Sequence, residues 1–207
     1  MSGETPMPPD TEPAGASTPR ADAAAAGDRL ARLIQGLAMA VRRLHRQERR
    51  GELAALRRMD PEHPVVQPFQ RILLHVAPDA SLDRARRIAL FVKILALPMS
   101  DDVLKSGRRV LGMAMESADV SERRVQTLMT ARGEALDDHV LRLARRLARE
   151  GDLPFEEIGR LILGDERVIE DTRFEIARAY WAGRTRREDA AASEADQTQP
   201  AAAGETA

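Results

Sequence analysis

Apolar residues recur at helical spacing through most of this chain, and no segment alternates apolar and polar residues as a half-buried strand does. Leu30, Leu33, Ile34, Leu37 and Val41, for example, follow one another at intervals of one to four residues, as the buried stripe of a helix requires. Prolines and glycines interrupt the chain between successive apolar stripes. This pattern predicts an all-α protein of about eight or nine helices joined by short connections.

The two ends of the chain differ in composition from the body between them. Residues 1–27 contain several prolines and an alanine run, with four acidic residues and one basic residue. Residues 188–207 contain five acidic residues and no basic one. Segments that are this polar and repetitive cannot bury enough apolar surface to fold alone, so we predict disordered acidic tails at both ends.

The body, residues 28–187, carries a net charge of +7, although the whole chain carries −1. Residues 28–116 hold 17 basic residues against 10 acidic ones, whereas residues 117–187 hold 14 of each. We therefore predict two small helical-bundle lobes, a basic N-terminal lobe and a C-terminal bundle, that meet near Ser117. A basic body with acidic tails suggests a polyanionic partner.

The sequence offers no set of residues that would support catalysis or hold a metal ion. Cysteine is absent, which excludes disulfides, thiolate nucleophiles and cysteine-ligated metal sites. Neighbouring acidic residues on a helix point about 100° apart and do not converge as an acid–base pair would need. No phosphate-binding glycine motif and no H-E-x-x-H metal motif is present. We expect a protein that is not an enzyme, with no catalytic residues and no cofactor. The histidines and adjacent acid pairs considered are His45, His63, His75, His139, Asp101-Asp102, Asp137-Asp138 and Glu156-Glu157.

The chain has no apolar run of about 18 residues, and its first ten residues lack the basic and apolar regions of a secretory signal. We therefore expect a cytoplasmic protein without a membrane span.

Arginine, which supplies 30 of the 32 basic residues, is arranged in pairs and stripes. A GC-rich coding bias would also enrich arginine, but its planar guanidinium still suits phosphate. The clearest stripe, at helical spacing, is Arg142, Arg145, Arg146 and Arg149, and Arg42, Arg46 and Arg49 repeat it in the first helix. Each could be the solvated face of an amphipathic helix. Because like charges at this spacing repel, we expect phosphate or an acidic partner surface opposite them.

Six aromatic residues determine what kind of nucleic-acid binding is possible. Most lie on predicted core faces, so we interpret them as packing residues, with no platform for stacking bases. Binding should then occur through backbone phosphates and be independent of sequence. The six are Phe69, Phe91, Phe155, Phe174, Tyr180 and Trp181.

Several short segments, taken in order, resemble one known family. The segment Gly51–Arg58, followed by Pro68-Phe69-Gln70-Arg71-Ile72, resembles the N-terminal part of the CasB family, the small subunit of the type I-E CRISPR surveillance complex Cascade. Ser106–Leu111 and Ser121–Leu128 resemble two further elements of the family. The similarity covers about residues 29–183 and excludes both tails. Leu163-Gly164 departs from the aromatic residue that the family often has before the last helix.

The resemblance implies an all-helical, two-lobed, non-catalytic subunit that sits as a pair against the backbone and large subunits of Cascade. It implies contact with the backbones of the guide RNA and the target DNA, which would stabilise the R-loop and its displaced strand. The positions that match basic positions of the family are Arg57, Arg58, Arg71, Arg108, Arg123, Arg124, Arg142, Arg145 and Arg146.

Two other classes of function remain open from the sequence. The first is a protein–protein scaffold whose arginines pair with acidic faces of neighbouring subunits and never touch nucleic acid. The second is a helical DNA-binding regulator, which would prefer a defined operator to random DNA by about 10³-fold or more.

Overall fold

The computed structural model describes residues 19–104 and 110–198, and within them the chain is helical without a strand. Nine α-helices and one 3₁₀ turn at Asp101–Leu104 make up these ranges, which confirms the predicted all-α class. The helices are α1 (Pro19–Arg46), α2 (Arg50–Arg58), α3 (Gln67–Val76), α4 (Leu82–Leu95), α5 (Leu111–Ser117), α6 (Glu122–Thr130), α7 (Gly133–Arg149), α8 (Phe155–Leu163) and α9 (Glu166–Thr198).

Helices α4 and α8 form the centre of the molecule because they are apolar on nearly every side. In α4 the run from Ile88 to Val92 is fully buried, and α8 buries Phe155, Ile158 and Ile162. Helix α8 packs against α1, α4 and α9, and α5 lies along α9. Buried residues from before and after Ser117 belong to one continuous hydrophobic cluster. The division into two lobes at Ser117 stays a prediction.

Both terminal helices extend into segments for which the sequence predicted disorder. Helix α1 begins at Pro19, and α9 continues to Thr198, so residues 19–27 and 188–198 are helical. The physical reason is their alanine content, since alanine has the highest intrinsic helix propensity and each segment only has to continue an existing helix. The remainder of the predicted tails, 1–18 and 199–207, lies outside the described residues.

Long basic side chains hold several helix ends in place. The last carbonyl groups of a helix have no partner within it and carry partial negative charge, so a guanidinium from a neighbouring element can bind them favourably. Five such contacts reach the ends of α2, α4, α5, α6 and α8. They are Lys93 to Met59 O, Arg57 to Ala96 O and Pro98 O, Arg146 to Ala118 O and Asp119 O, Arg173 to Ala131 O, and Arg84 to Leu163 O.

Candidate nucleic-acid interface

A groove of about 240 Å³ between α6 and α7 brings three of the predicted binding arginines together. Arg124 comes from α6, and Arg142 and Arg146 come from α7. The floor is apolar, built from Met115, Val120, Leu128 and Leu143, and His139 completes the lining. The groove therefore combines an apolar base with a cationic rim.

Helix α6 presents its arginines outward because its buried side is fixed by Val125 and Leu128. Arg123 and Arg124 directly precede these residues, and both are exposed. Neither makes an ion pair or a side-chain hydrogen bond with any residue that the structure describes. Two full positive charges are consequently available on this helix for an external anion.

Arg58 and Arg145 are also exposed and without a hydrogen bond or an ion pair in the described ranges. Arg145 lies close enough to Lys93 of α4 for the two like charges to interact. Burial lowers the pKa of Lys93, and the positive charge of Arg145 lowers it further. Arg145 is not among the residues that line the groove with Arg124.

Two of the predicted residues carry acidic partners from the same chain. The Arg71 guanidinium lies 3.7 Å from Glu52 Oε1, and Arg142 donates to Asp138 Oδ2 at 3.1 Å. Asp138 is one turn before Arg142, so the predicted stripe of α7 is not free of acids on its exposed side. The Arg142–Asp138 pair is exposed on both sides, so it is worth at most about 1 kcal/mol and can exchange for an outside phosphate, whereas Glu52 is partly buried and also pairs with Arg49.

Arg57 and Arg146 bind backbone carbonyls of the same chain, and their contact with nucleic acid stays a prediction. Arg57 donates to Ala96 O and Pro98 O, and Arg146 donates to Ala118 O and, at 3.2 Å, to Asp119 O. The guanidinium of each is partly buried against a helix end and has only part of its hydrogen-bonding capacity left. These two arginines position helices. Arg108, the ninth predicted residue, lies outside the described residues.

The predicted series of Arg42, Arg46 and Arg49 on the first helix is interrupted. Helix α1 ends at Arg46, so Arg49 lies in the connection to α2. There Arg49 pairs with Glu52. The change of chain direction removes the continuous face that helical spacing predicted.

Four of the six aromatic residues are buried, in agreement with the prediction that most of them pack in the core, and two are exposed. The four buried ones are Phe69, Phe91, Phe155 and Tyr180. The side chain of Phe174 is 69% exposed and that of Trp181 is 41% exposed. The sequence could have indicated that Phe174 and Trp181 are exposed, because the two residues are seven apart and lie off the apolar stripe that Ile176 and Tyr180 share.

Replacing Arg146 by alanine should destabilise the fold by about 1–2 kcal/mol, because two carbonyls at the end of α5 lose a charged donor. Urea unfolding followed by circular dichroism measures this. Arg149→Ala removes the same charge from an exposed position of the same helix and should change stability by less than about 0.5 kcal/mol. Equal effects of the two substitutions would contradict the structural role of Arg146.

Within the described ranges, His, Asp and Glu side chains form no cluster of three or more that could hold a metal ion. None of the helices in those ranges combines the length and the apolar character that crossing a bilayer needs.

Comparison with known proteins identifies the family. The family model described as CRISPR-associated protein Cse2 matches residues 52–181, more than half of the chain. The match begins in α2 and ends at Trp181 in α9, so it includes the groove between α6 and α7. Searches of the curated proteins and of the solved structures found no match. The chain therefore belongs to the family of CRISPR-associated protein Cse2, the small subunit of type I-E Cascade that is also called CasB.

Proposed function

We propose that this protein binds nucleic-acid backbones without regard to sequence and thereby stabilises the R-loop of a Cascade complex, performing no reaction itself. The observation that carries the proposal is the pair of exposed, unpaired arginines Arg123 and Arg124 on α6. Arg124 stands on the rim of a groove that Arg142 lines from the opposite side. The planar fork of a guanidinium group matches the oxygen atoms of a phosphate, which can accept two parallel hydrogen bonds from it.

The energetics of R-loop formation make a few such contacts sufficient. The heteroduplex of guide RNA and target DNA is about as stable as the DNA duplex that it replaces, so the exchange is nearly balanced. Base pairing supplies the sequence specificity, and protein contacts to the backbone shift the balance. Arg58 of α2 and Arg145 of α7 would add contacts outside the groove.

The proposed partners follow from the family. We propose that the protein contacts the backbone and large subunits of Cascade, the guide RNA and the target DNA, and a second copy of itself, in the cytoplasm. Exposed apolar side chains at Met39, Leu74 and Met99 lie on a different part of the chain from α6 and could be covered by such subunits. These residues are also what favours the second candidate function, a protein–protein scaffold that makes no contact with nucleic acid.

Replacing Arg123 and Arg124 together by alanine should weaken binding to DNA equally for all target sequences. If each arginine contacts one phosphate of a duplex, the slope of log K against log salt should fall by about 0.9 per contact, or about 0.7 on a single strand. Fluorescence anisotropy with labelled oligonucleotides at several salt concentrations measures both quantities.

The matched control is the double substitution Arg29→Ala and Arg43→Ala, which removes the same charge from exposed positions of α1. Because neither Arg29 nor Arg43 lines the groove between α6 and α7, their loss should leave the salt slope nearly unchanged. Equal slopes for both double variants would show that only net charge matters and would overturn the α6 site. Absence of any binding by the wild-type chain would favour the scaffold.

A further inference from the structure

One side of α9 carries an exposed row of residues that the proposed function leaves unused. Phe174, Arg178 and Trp181 are spaced four and three residues apart, so they lie on one face of the helix. Seven residues of helix place the two rings about 10 Å apart along the axis, with Arg178 between them. We call these three residues the aromatic row.

The Trp181 ring is held in position from its buried side. It packs edge-on against Tyr180, with ring centroids 5.3 Å apart and an angle of 84° between the planes. Tyr180 is itself buried, and its hydroxyl donates to Val120 O at 2.7 Å. Because Tyr180 supports its ring, Trp181 has little conformational freedom left to lose when its exposed surface binds a ligand.

The acidic residues nearest to the aromatic row are paired with cations. Asp171 lies 4.0 Å from the guanidinium of Arg167, and Glu175 lies 3.6 Å from that of Arg160. Arg178 is exposed and makes no ion pair or hydrogen bond with any described residue. The unbalanced charge between the two rings is therefore positive.

Helix α6 runs beside this part of α9. Arg184 of α9 lies 3.6 Å from Glu122 at the start of α6, and Arg173 of α9 donates to Ala131 O just after its end. The two helices are therefore antiparallel neighbours along the whole of α6. Arg123 and Arg124 therefore lie on the helix next to the one that carries the aromatic row.

We propose that the aromatic row is a stacking surface for the bases of a single-stranded nucleic acid whose phosphates lie along α6. This inference rests on the proposed function, which it extends from backbone contact to a preference for unpaired bases. Exposed aromatic faces next to a cationic track are the combination by which proteins bind single strands without reading their sequence. Arg178 can add a cation–π contact or stack through its guanidinium plane. A protein partner would use the rings equally well, but it would not require the unpaired arginines on both helices.

The full chain provides its own probe, because Trp181 is its only tryptophan. Titration with a 20-nucleotide oligothymidylate should quench the fluorescence of Trp181, and a blunt duplex of equal length should quench it much less. Trp181→Ala should weaken binding of the fluorescein-labelled oligothymidylate by about 10-fold, and Phe174→Ala by a similar factor. Trp181→Phe, which keeps an aromatic face, should restore most of the affinity.

Salt dependence separates the aromatic row from the arginines of α6. Stacking releases no counterions, so the row variants should lower the affinity while leaving the salt slope unchanged, whereas Arg123→Ala and Arg124→Ala should lower the slope. Oligothymidylate binding without quenching, and with wild-type affinity in Phe174→Ala and Trp181→Ala, would overturn the stacking surface and leave the α6 site standing.

Two further results would distinguish the α6 site from the stacking surface, and the stacking surface from a surface that docks protein. An unchanged salt slope in the α6 variants, with quenching intact, would overturn the α6 site and keep the stacking surface. A change in oligomeric state of the row variants, measured by sedimentation, without a change in affinity would show that the row docks protein and would overturn the proposal. Thermal unfolding of Phe174→Ala should match the wild type because that side chain is 69% exposed, whereas Trp181→Ala also loses the ring contact with Tyr180 and should unfold at a somewhat lower temperature.

Discussion

Replacing Gly112 by alanine is expected to destabilise this protein by about 2–3 kcal/mol, because α5 and α9 approach each other there without room for a side chain. A Cβ atom at Gly112 would lie 2.7 Å from the backbone nitrogen of Tyr180 and 2.9 Å from the Cβ of Ala179, and closer still to the carbonyl oxygen of Ile176. Two of these three atoms belong to the backbone of α9, so no side-chain rotation can relieve the clash. Helix α5 would have to move away from α9.

Urea unfolding measures the loss, and a second glycine provides the control. Gly27 is also within a helix, α1, and a Cβ there would meet nothing within 4 Å. Gly27→Ala should therefore leave stability unchanged or raise it by about 0.5–1 kcal/mol through helix propensity. A Gly112→Ala variant as stable as the wild type would show that α5 does not rest on α9 at this distance.

Close approach of this kind cannot be predicted from the sequence, although the helices themselves can. Apolar stripes at helical spacing, separated by prolines and glycines, predicted the all-α class and the approximate number of helices, because both depend on local pattern. Gly112 offered no local signal, since what constrains it is a helix that follows more than 50 residues later. The ends of α1 and α9 differed from prediction because alanine propensity outweighed the polarity of those segments.

For the arginines of the candidate site, too, the sequence cannot show which side chains are bound by a distant part of the chain. Arg57 and Arg58 are adjacent and look equivalent in the sequence, yet Arg57 binds the end of α4 and Arg58 faces solvent. Which of the two is available for phosphate depends on where another helix ends, and spacing within α2 carries no information about that. Arg123 and Arg124 make no hydrogen bond to a carbonyl in the described ranges, although they were predicted in the same way as Arg57.

The aromatic residues differ from one another for a related reason. Helical spacing distinguishes the buried Tyr180 from Phe174, but an exposed aromatic is unusual enough that packing was the default interpretation. Tyr180 now connects fold and proposed function, because it anchors α9 to the turn at Val120 and supports the ring of Trp181. Replacing Tyr180 therefore tests the packing of α9 and the proposed stacking surface in one experiment.

Tyr180→Ala should cost about 3–5 kcal/mol, since it removes a fully buried ring and leaves a cavity between α9 and the end of α5. Tyr180→Phe keeps the ring and should cost only about 1–3 kcal/mol, the penalty for leaving Val120 O without its donor. Urea unfolding should rank the two substitutions in this order, with the exposed Phe174→Ala changing stability by less than about 0.5 kcal/mol.

The two variants should also differ in single-strand binding. Tyr180→Phe preserves the edge-on contact with Trp181, so oligothymidylate should still quench its fluorescence, whereas in folded Tyr180→Ala the Trp181 ring loses its support and quenching should weaken. Equal stability of the two variants would mean that the hydroxyl, and not the ring, holds α9 in place. Undiminished quenching in Tyr180→Ala would mean that Trp181 is positioned by α9 alone, because the loss of a supporting ring must otherwise free its χ1 and χ2 angles.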